Sequence, residues 1–149
     1  MRRVLVLAHP FPPAGGGGVQ RTSKLVKYLP ASGWRATVLT TQAELYPSLT
    51  GVSDTKLLAD VGEAADVVRV TSPETVALPP AIDRWVRRLL LPDRSRAWNP
   101  GALAAAIAQH VRTPFEVVYA TGNPYSSYLL ARALSMVIRR PYVLDMRDA

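Results

Sequence analysis

Five short apolar runs rich in β-branched residues recur along the sequence, and helical periodicity fills most of the intervals between them. The runs are RVLVLAH (3–9), RATVLTT (35–41), DVVRVT (66–71), FEVVYAT (115–121) and PYVLDM (141–146). The first is apolar without alternation, as expected of a strand buried on both faces. After it, VQRTSKLVKYLP places Val19, Thr22, Val26 and Leu29 at helical spacing with Leu25 beside them, Pro30 ends or kinks that helix, and Gly33 stops it. Residues 42–64 carry a weaker pattern, in which SDTKLLADV predicts a short helix capped by Ser53. Beyond the proline-rich connection TSPETVALPP, AIDRWVRRLLL (81–91) predicts a basic helix. NPGALAAAIAQHVR (99–112) predicts another, with Asn99 as cap and Pro100 in its first turn. NPYSSYLLARALSMVIRR (123–140) repeats the Asn-Pro opening and puts Leu130, Leu134 and Val137 on one face; its closing arginines suit the negative helix end. Together these predict an α/β fold: a Rossmann-like parallel sheet of order 3-2-1-4-5 with right-handed crossovers and helices on both faces.

In that order strands one and four flank the switch point, and ligands of such sheets bind in the crevice outside the strand ends. Three unusual loops follow strands one, four and five: HPFPPAGGGGVQR, TGNPYSS and DMRDA. They are expected to be neighbours in space. The run Gly15–Gly18 leads into a helix, whose start offers unpaired N–H groups and partial positive charge. It reads either as a loop that faces a phosphate or as a plain flexible turn. It is not a dinucleotide fingerprint: the third glycine position falls on Gln20 or Arg21, and no acidic residue ends the second strand. It is not an ATPase loop either, since no G-K-[ST] tripeptide occurs.

TGNP is a second anion-ready helix start, or else ordinary Asn-Pro capping. In DMRD, Asp145 or Asp148 could orient a hydroxyl or act as a base; an internal Arg–Asp pair holding the loop accounts for the same residues. His9, at the tip of the first strand, and Asp148 are the catalytic candidates. His110 lies inside a helix and reads as structural. Two histidines so far apart make no metal signature, and no nucleophile elbow is present. The segment RWVRRLLLPDRSRAW (84–98) is either a basic amphipathic helix suited to an anionic membrane surface or a surface helix with its apolar side in the core.

Composition narrows the classes. The 149 residues suit one domain with a core, and the absence of cysteine removes disulfides and thiol chemistry. The opening apolar run is too short for a signal peptide and no stretch suits a membrane span, so a cytoplasmic location is expected. Eighteen basic residues against eleven acidic ones give a net charge of +7, which favours anionic partners. The arginines are scattered rather than interleaved with stacking aromatics, so nucleic-acid binding, if any, is expected to be non-specific.

Three segments, in order, carry a family likeness. FPPAGGGGVQRTSKLVKYLPASGWRATVLT, VVYATGNPYSSYLLA and YVLDMRDA resemble the opening strand–glycine loop–helix, the later G-x-P-x-S-S segment and the D-x-R-D strand end of family 4 glycosyltransferases, which have the GT-B fold. The resemblance implies that residues 1–149 are the acceptor-side, N-terminal Rossmann-like domain, incomplete at its C-terminus. A C-terminal domain carrying a pair of glutamates would hold the donor. It implies transfer of a sugar, of hexosyltransferase type and with retention, from a nucleoside-diphosphate sugar to a sugar or lipid-linked hydroxyl acceptor. No metal or cofactor is implied, the nucleotide-sugar being a substrate. By position, Gly16, Gly17 and Gly18 would approach the donor diphosphate, while Asn123, Tyr125, Ser126, Arg147 and Asp148 would line the acceptor side. The fourth-strand loop lacks the histidine that many relatives carry, so no such role is assigned. The 149 residues alone would not turn over substrate. Peripheral contact with the inner face of a membrane through 84–98 is compatible with this reading. The alternative is a non-catalytic Rossmann-like module that binds a nucleotide or an anionic lipid.

Overall fold

Leu5, Val6 and Leu7 have no exposed surface, because their run forms β1 (Arg2–Leu7), the middle strand of the sheet. The computed structural model describes residues 1–42, 53–72, 79–89 and 92–146. Helix α1 (Gly17–Tyr28) leads through a short 3-10 helix, Leu29–Ser32, to β2 (Trp34–Thr41). Gly33 makes that turn in the left-handed region, with φ 77°, where a side chain would be strained. Then come α2 (Thr55–Val61), β3 (Ala65–Val70), α3 (Pro80–Leu89), a 3-10 helix Arg94–Trp98 and α4 (Asn99–Arg112). Strand β4 (Val117–Thr121), α5 (Ser126–Ile138) and β5 (Tyr142–Asp145) complete the described chain.

All neighbouring strands are parallel, in the order β3-β2-β1-β4-β5, as the alternating pattern requires. Leu7 lies opposite both Leu39 and Ala120, and Thr121 opposite Asp145. The carboxyl ends of β1, β4 and β5 therefore reach one edge together.

Successive side chains of a strand point to opposite faces, and β1 feeds a core on each. Leu5 and Leu7 pack with Trp98, Ala102, Phe115, Leu130 and Leu134 on the side of α4 and α5. Val4, Val6 and Ala8 pack with Phe11, Val26 and Val61 on the side of α1 and α2. Each large side chain so buried contributes about 1.5–3 kcal/mol, which is why the first run shows no polar alternation. On the second side, an apolar cavity of about 150 Å³ opens between α1 and β4–β5, lined by residues such as Leu25, Trp34, Tyr119 and Val143.

Helix starts differ from the local expectations. Asp54, not Ser53, caps α2, accepting from the N–H groups of Lys56 and Leu57. Asn99 is the first helical residue of α4 and makes no cap, although Pro100 does sit in the first turn. Helix α5 begins at Ser126 and not at Asn123, which takes a left-handed φ of 50°. Its buried stripe runs through Leu130, Ala131 and Leu134, while Val137 is 56% exposed and Ile138 packs on the core in its place.

Candidate functional site

Helix α1 starts uncapped. Its N-cap, Gly16, has φ 107° and no side chain to accept from the first turn, and no acidic residue lies in that turn. Gly16 and Gly17 are exposed, and a Cβ at either would meet nothing within 4 Å. Open space and partial positive charge thus coincide there.

The residues leading to this bare start are pinned. Phe11 and Ala14 are fully buried. Arg69, at the end of β3, donates to the Pro12 carbonyl at 2.6 Å. The Pro13 carbonyl accepts from the Asp54 N–H at 2.7 Å and from the Ser53 hydroxyl at 3.2 Å. The glycine run is therefore the uncovered end of an anchored loop. His9 is buried, its ring edge-on to Trp98 at 5.2 Å. Its carbonyl accepts from the Thr40 hydroxyl at 2.8 Å and the Thr41 N–H at 3.2 Å, which ties the loop to β2.

The loop after β4 exposes Asn123 and Tyr125 but buries Ser126 completely. The Ser126 N–H donates to Asp93 Oδ2 at 2.8 Å, and the Ser126 carbonyl accepts from Asn99 Nδ2 at 3.0 Å. A carboxylate of the chain itself thus occupies the start of α5. The expected second anion-ready start is filled from within, while that of α1 is bare.

Asp145, at the end of β5, joins these loops. It is 9% exposed, and its Oδ1 accepts from Arg21 Nη2 at 2.7 Å. Its carbonyl accepts from the Gly122 N–H at 3.1 Å and from the Tyr128 hydroxyl at 2.7 Å. A side chain at Gly122 would strike the Tyr128 hydroxyl and press on the Asp145 carbonyl. Asp145 thus pairs with an arginine of α1; the pair expected within DMRD rests on residues that lie outside those described. Arg147 and Asp148 lie outside the described residues.

The structure brings together Gly16–Gly18, Arg21, Gly122 and Asp145, with Asn123 and Tyr125 on the adjoining loop. Sequence reasoning missed Arg21, Asp93, Gly122, Trp98 and Tyr128. A glycine directly after a strand was an available signal for Gly122; Asp93 has no local one, its partner lying far along the chain.

Away from this edge, His110 is structural as read. Its Nδ1 accepts from the Phe115 N–H at 3.0 Å; burial, with a smaller effect from Arg140, lowers its pKa. Lys24 and Lys27 hydrogen-bond Asp60 and hold its carboxyl below the usual range, and Arg35 does the same for Asp66. The segment 84–98 divides: Trp98 is 1% exposed in the core, whereas Trp85 is 65% exposed on α3. Among the described residues no three His, Asp or Glu side chains are grouped to hold a metal ion, and no helix is long and apolar enough to cross a membrane.

No protein-family model matches the chain, and no curated protein matches it. Solved structures do. The glycosyltransferase of kitacinnamycin is 23% identical with a TM-score of 0.55, over 95% of this chain and 29% of that one. The Streptomyces sp. SF2575 glycosyltransferase SsfS6, complexed with thymidine diphosphate, is 14% identical with a TM-score of 0.54, over 97% of this chain and 38% of that one. The C-terminal domain of PF1911 hydrogenase from Pyrococcus furiosus is 14% identical with a TM-score of 0.53, over 97% of this chain and 91% of that one. These likenesses show a fold shared with glycosyltransferases, of whose length this chain spans about a third.

Proposed function

We propose that this chain forms the acceptor-facing part of a site that transfers a sugar from a nucleoside-diphosphate sugar to a hydroxyl acceptor, with retention of configuration. The observation that carries the reading is the uncapped, exposed start of α1 at the switch point, with the β4 loop and the end of β5 on the same edge. Backbone N–H groups of Gly16, Gly17 and Gly18 are suited to the leaving diphosphate, whose charge grows as the glycosidic bond breaks. Arg21, one turn further along α1, adds a cation to that side. Asn123 and Tyr125, exposed on the β4 loop, are placed for acceptor hydroxyls, with Arg147 and Asp148 assigned to the same side by sequence position. His9 is buried against Trp98, which suits a role in holding the loop; Asp148 is the remaining candidate base. The thymidine diphosphate bound to SsfS6 favours a nucleotide-linked donor. Most of the donor would be held by a second domain in the same polypeptide, and residues 1–149 alone would bind it weakly.

A second reading is a nucleotide-binding module without chemistry; the hydrogenase domain, 91% of which is covered, carries this fold at about this chain's length. The test is acceptor-dependent release of nucleoside diphosphate from UDP- and TDP-sugars by a polypeptide carrying this chain, against the same polypeptide with Gly17→Val. A Cβ at Gly17 meets nothing within 4 Å, so the variant is expected to fold, which a thermal melt checks. The proposal requires at least about a tenfold drop in kcat/KM, roughly 1.4 kcal/mol of transition-state stabilisation. Unchanged turnover would remove the loop from the diphosphate site. Nucleotide binding with no transfer to any hydroxyl acceptor would favour the second reading.

A further inference from the structure

Helix α3 (Pro80–Leu89) carries Ile82, Trp85 and Leu89 at helical spacing, exposed to 51%, 65% and 73%. At about 100° per residue these three fall within about 60° of arc. Arg84 and Arg88 are also exposed and by the same geometry flank that arc on its Trp85 side, about 100° and about 60° from Trp85, with the Arg88 guanidinium 5.6 Å from the Trp85 ring centre. Helix α3 packs extensively on no other described element.

We propose that α3 docks on an anionic membrane surface, with Ile82, Trp85 and Leu89 entering the headgroup region and Arg84 and Arg88 meeting lipid phosphates. This goes beyond the sugar-transfer reading and does not depend on it. Charge complementarity selects the occupant. From the start of α3 to Trp98, residues 80–98 hold five arginines against two acidic residues, Asp83 and Asp93, and Asp93 is committed to the start of α5. An aromatic and aliphatic face flanked by arginines matches an interfacial helix. A nucleic acid would satisfy the arginines but leave the apolar face in water. In the core reading of this segment the apolar side is buried; here that holds for Trp98 and not for Trp85 or Leu89.

Purified chain is sedimented with vesicles of phosphatidylcholine alone, or with about one third phosphatidylglycerol. Anionic vesicles should be bound at least about tenfold more tightly, and binding should fall several-fold as salt rises from about 0.05 to about 0.3 M. Trp85→Glu with Leu89→Glu should abolish it. Arg84→Glu with Arg88→Glu should weaken it at least about tenfold, while the equal charge change Arg132→Glu with Arg140→Glu, on exposed residues of and beside α5, should leave it within about twofold. Vesicles should shift wild-type tryptophan emission to the blue, and Trp85→Phe should lose the shift while still sedimenting. Equal binding to neutral and anionic vesicles, or retention of binding by the Trp85/Leu89 pair of substitutions, would overturn the proposal. So would a wild-type dimer in sedimentation velocity that binds no vesicles and dissociates with those same substitutions, which would assign the face to a second copy.

Discussion

Arg21 Nη2 and Asp145 Oδ1 lie 2.7 Å apart, joining the first helix to the end of the last described strand across the mouth of the switch point. The arginine side chain is 61% exposed and the aspartate 9%, so the cation is free to turn toward an arriving anion while the carboxylate stays in place. The two positions are 124 residues apart in sequence, and the sheet order brings β5 within reach of α1.

Arg21→Ala should lower nucleoside-diphosphate affinity about tenfold, or roughly 1.4 kcal/mol. It should also cost about 1–3 kcal/mol of stability, because the buried Asp145 carboxylate, 9% exposed, loses its Arg21 partner. Lys24→Ala is the control, since Lys24 pairs with Asp60 on α2. Titration with TDP and a thermal melt separate the two effects. An equal loss of affinity in both variants would reduce Arg21 to general charge.

Gly122→Ala should destabilise the fold by about 1–3 kcal/mol through overpacking, because the added Cβ meets the Tyr128 hydroxyl. Tyr128→Phe removes that hydroxyl along with its bond to the Asp145 carbonyl, at about 1 kcal/mol. The double variant should then be more stable than additivity predicts by more than about 0.5 kcal/mol. Urea unfolding of the four chains closes the cycle. Strict additivity would mean that the glycine is needed for another reason.

Strand order, sheet direction and the meeting of the β1 and β4 loops with the end of β5 were legible because they follow from apolar runs and connection lengths. The caps were not. Asn99 and Asn123 both stand before proline, a pattern that suits a local cap, yet each was overruled by tertiary structure. Asn99 spends its amide on the Ser126 carbonyl, and Asn123 adopts a left-handed turn while Asp93 takes its place. Ser53 and Asp54 are both capping residue types, and composition could not separate them; the Pro13 carbonyl claims the serine hydroxyl. The pairing of Arg21 with Asp145 needed the fold, because nothing local links position 21 to position 145. The two tryptophans of 84–98 look alike in sequence. Only packing sends Trp98 into the core under His9 and leaves Trp85 outside.

Asp93→Ala should destabilise the chain by about 1–2 kcal/mol, the range for losing a helix cap. Asp93→Asn should lose less, since an amide oxygen can still accept from Ser126. Hydrogen exchange at the Ser126 amide offers a local readout: protection should drop sharply in the alanine variant and modestly in the asparagine one. If both variants keep wild-type protection at that amide, the cap is not what orders the start of α5.

His110 gives a pH dependence of known sign. Burial holds its imidazole below the ordinary value of 6.5, with Arg140 adding to the effect. The folded chain thus takes up this proton less readily than the unfolded one. Between the two pKa values the unfolded state binds more protons, so stability rises with pH there. The contribution is fully present above about 6.5 and is lost as pH falls through that value toward the lower folded one. Protonation would also remove the Nδ1 lone pair that accepts the Phe115 N–H. Asp60 and Asp66 have carboxyl pKa values lowered from 3.8. Their stabilisation is present above that value and fades only in more acid solution, which leaves the histidine window clear. Thermal melts between about pH 7.5 and pH 5.5 should show wild-type Tm falling with pH and a flatter profile for His110→Gln, whatever the variant's absolute Tm. Parallel profiles for the two chains would mean that another group controls the loss.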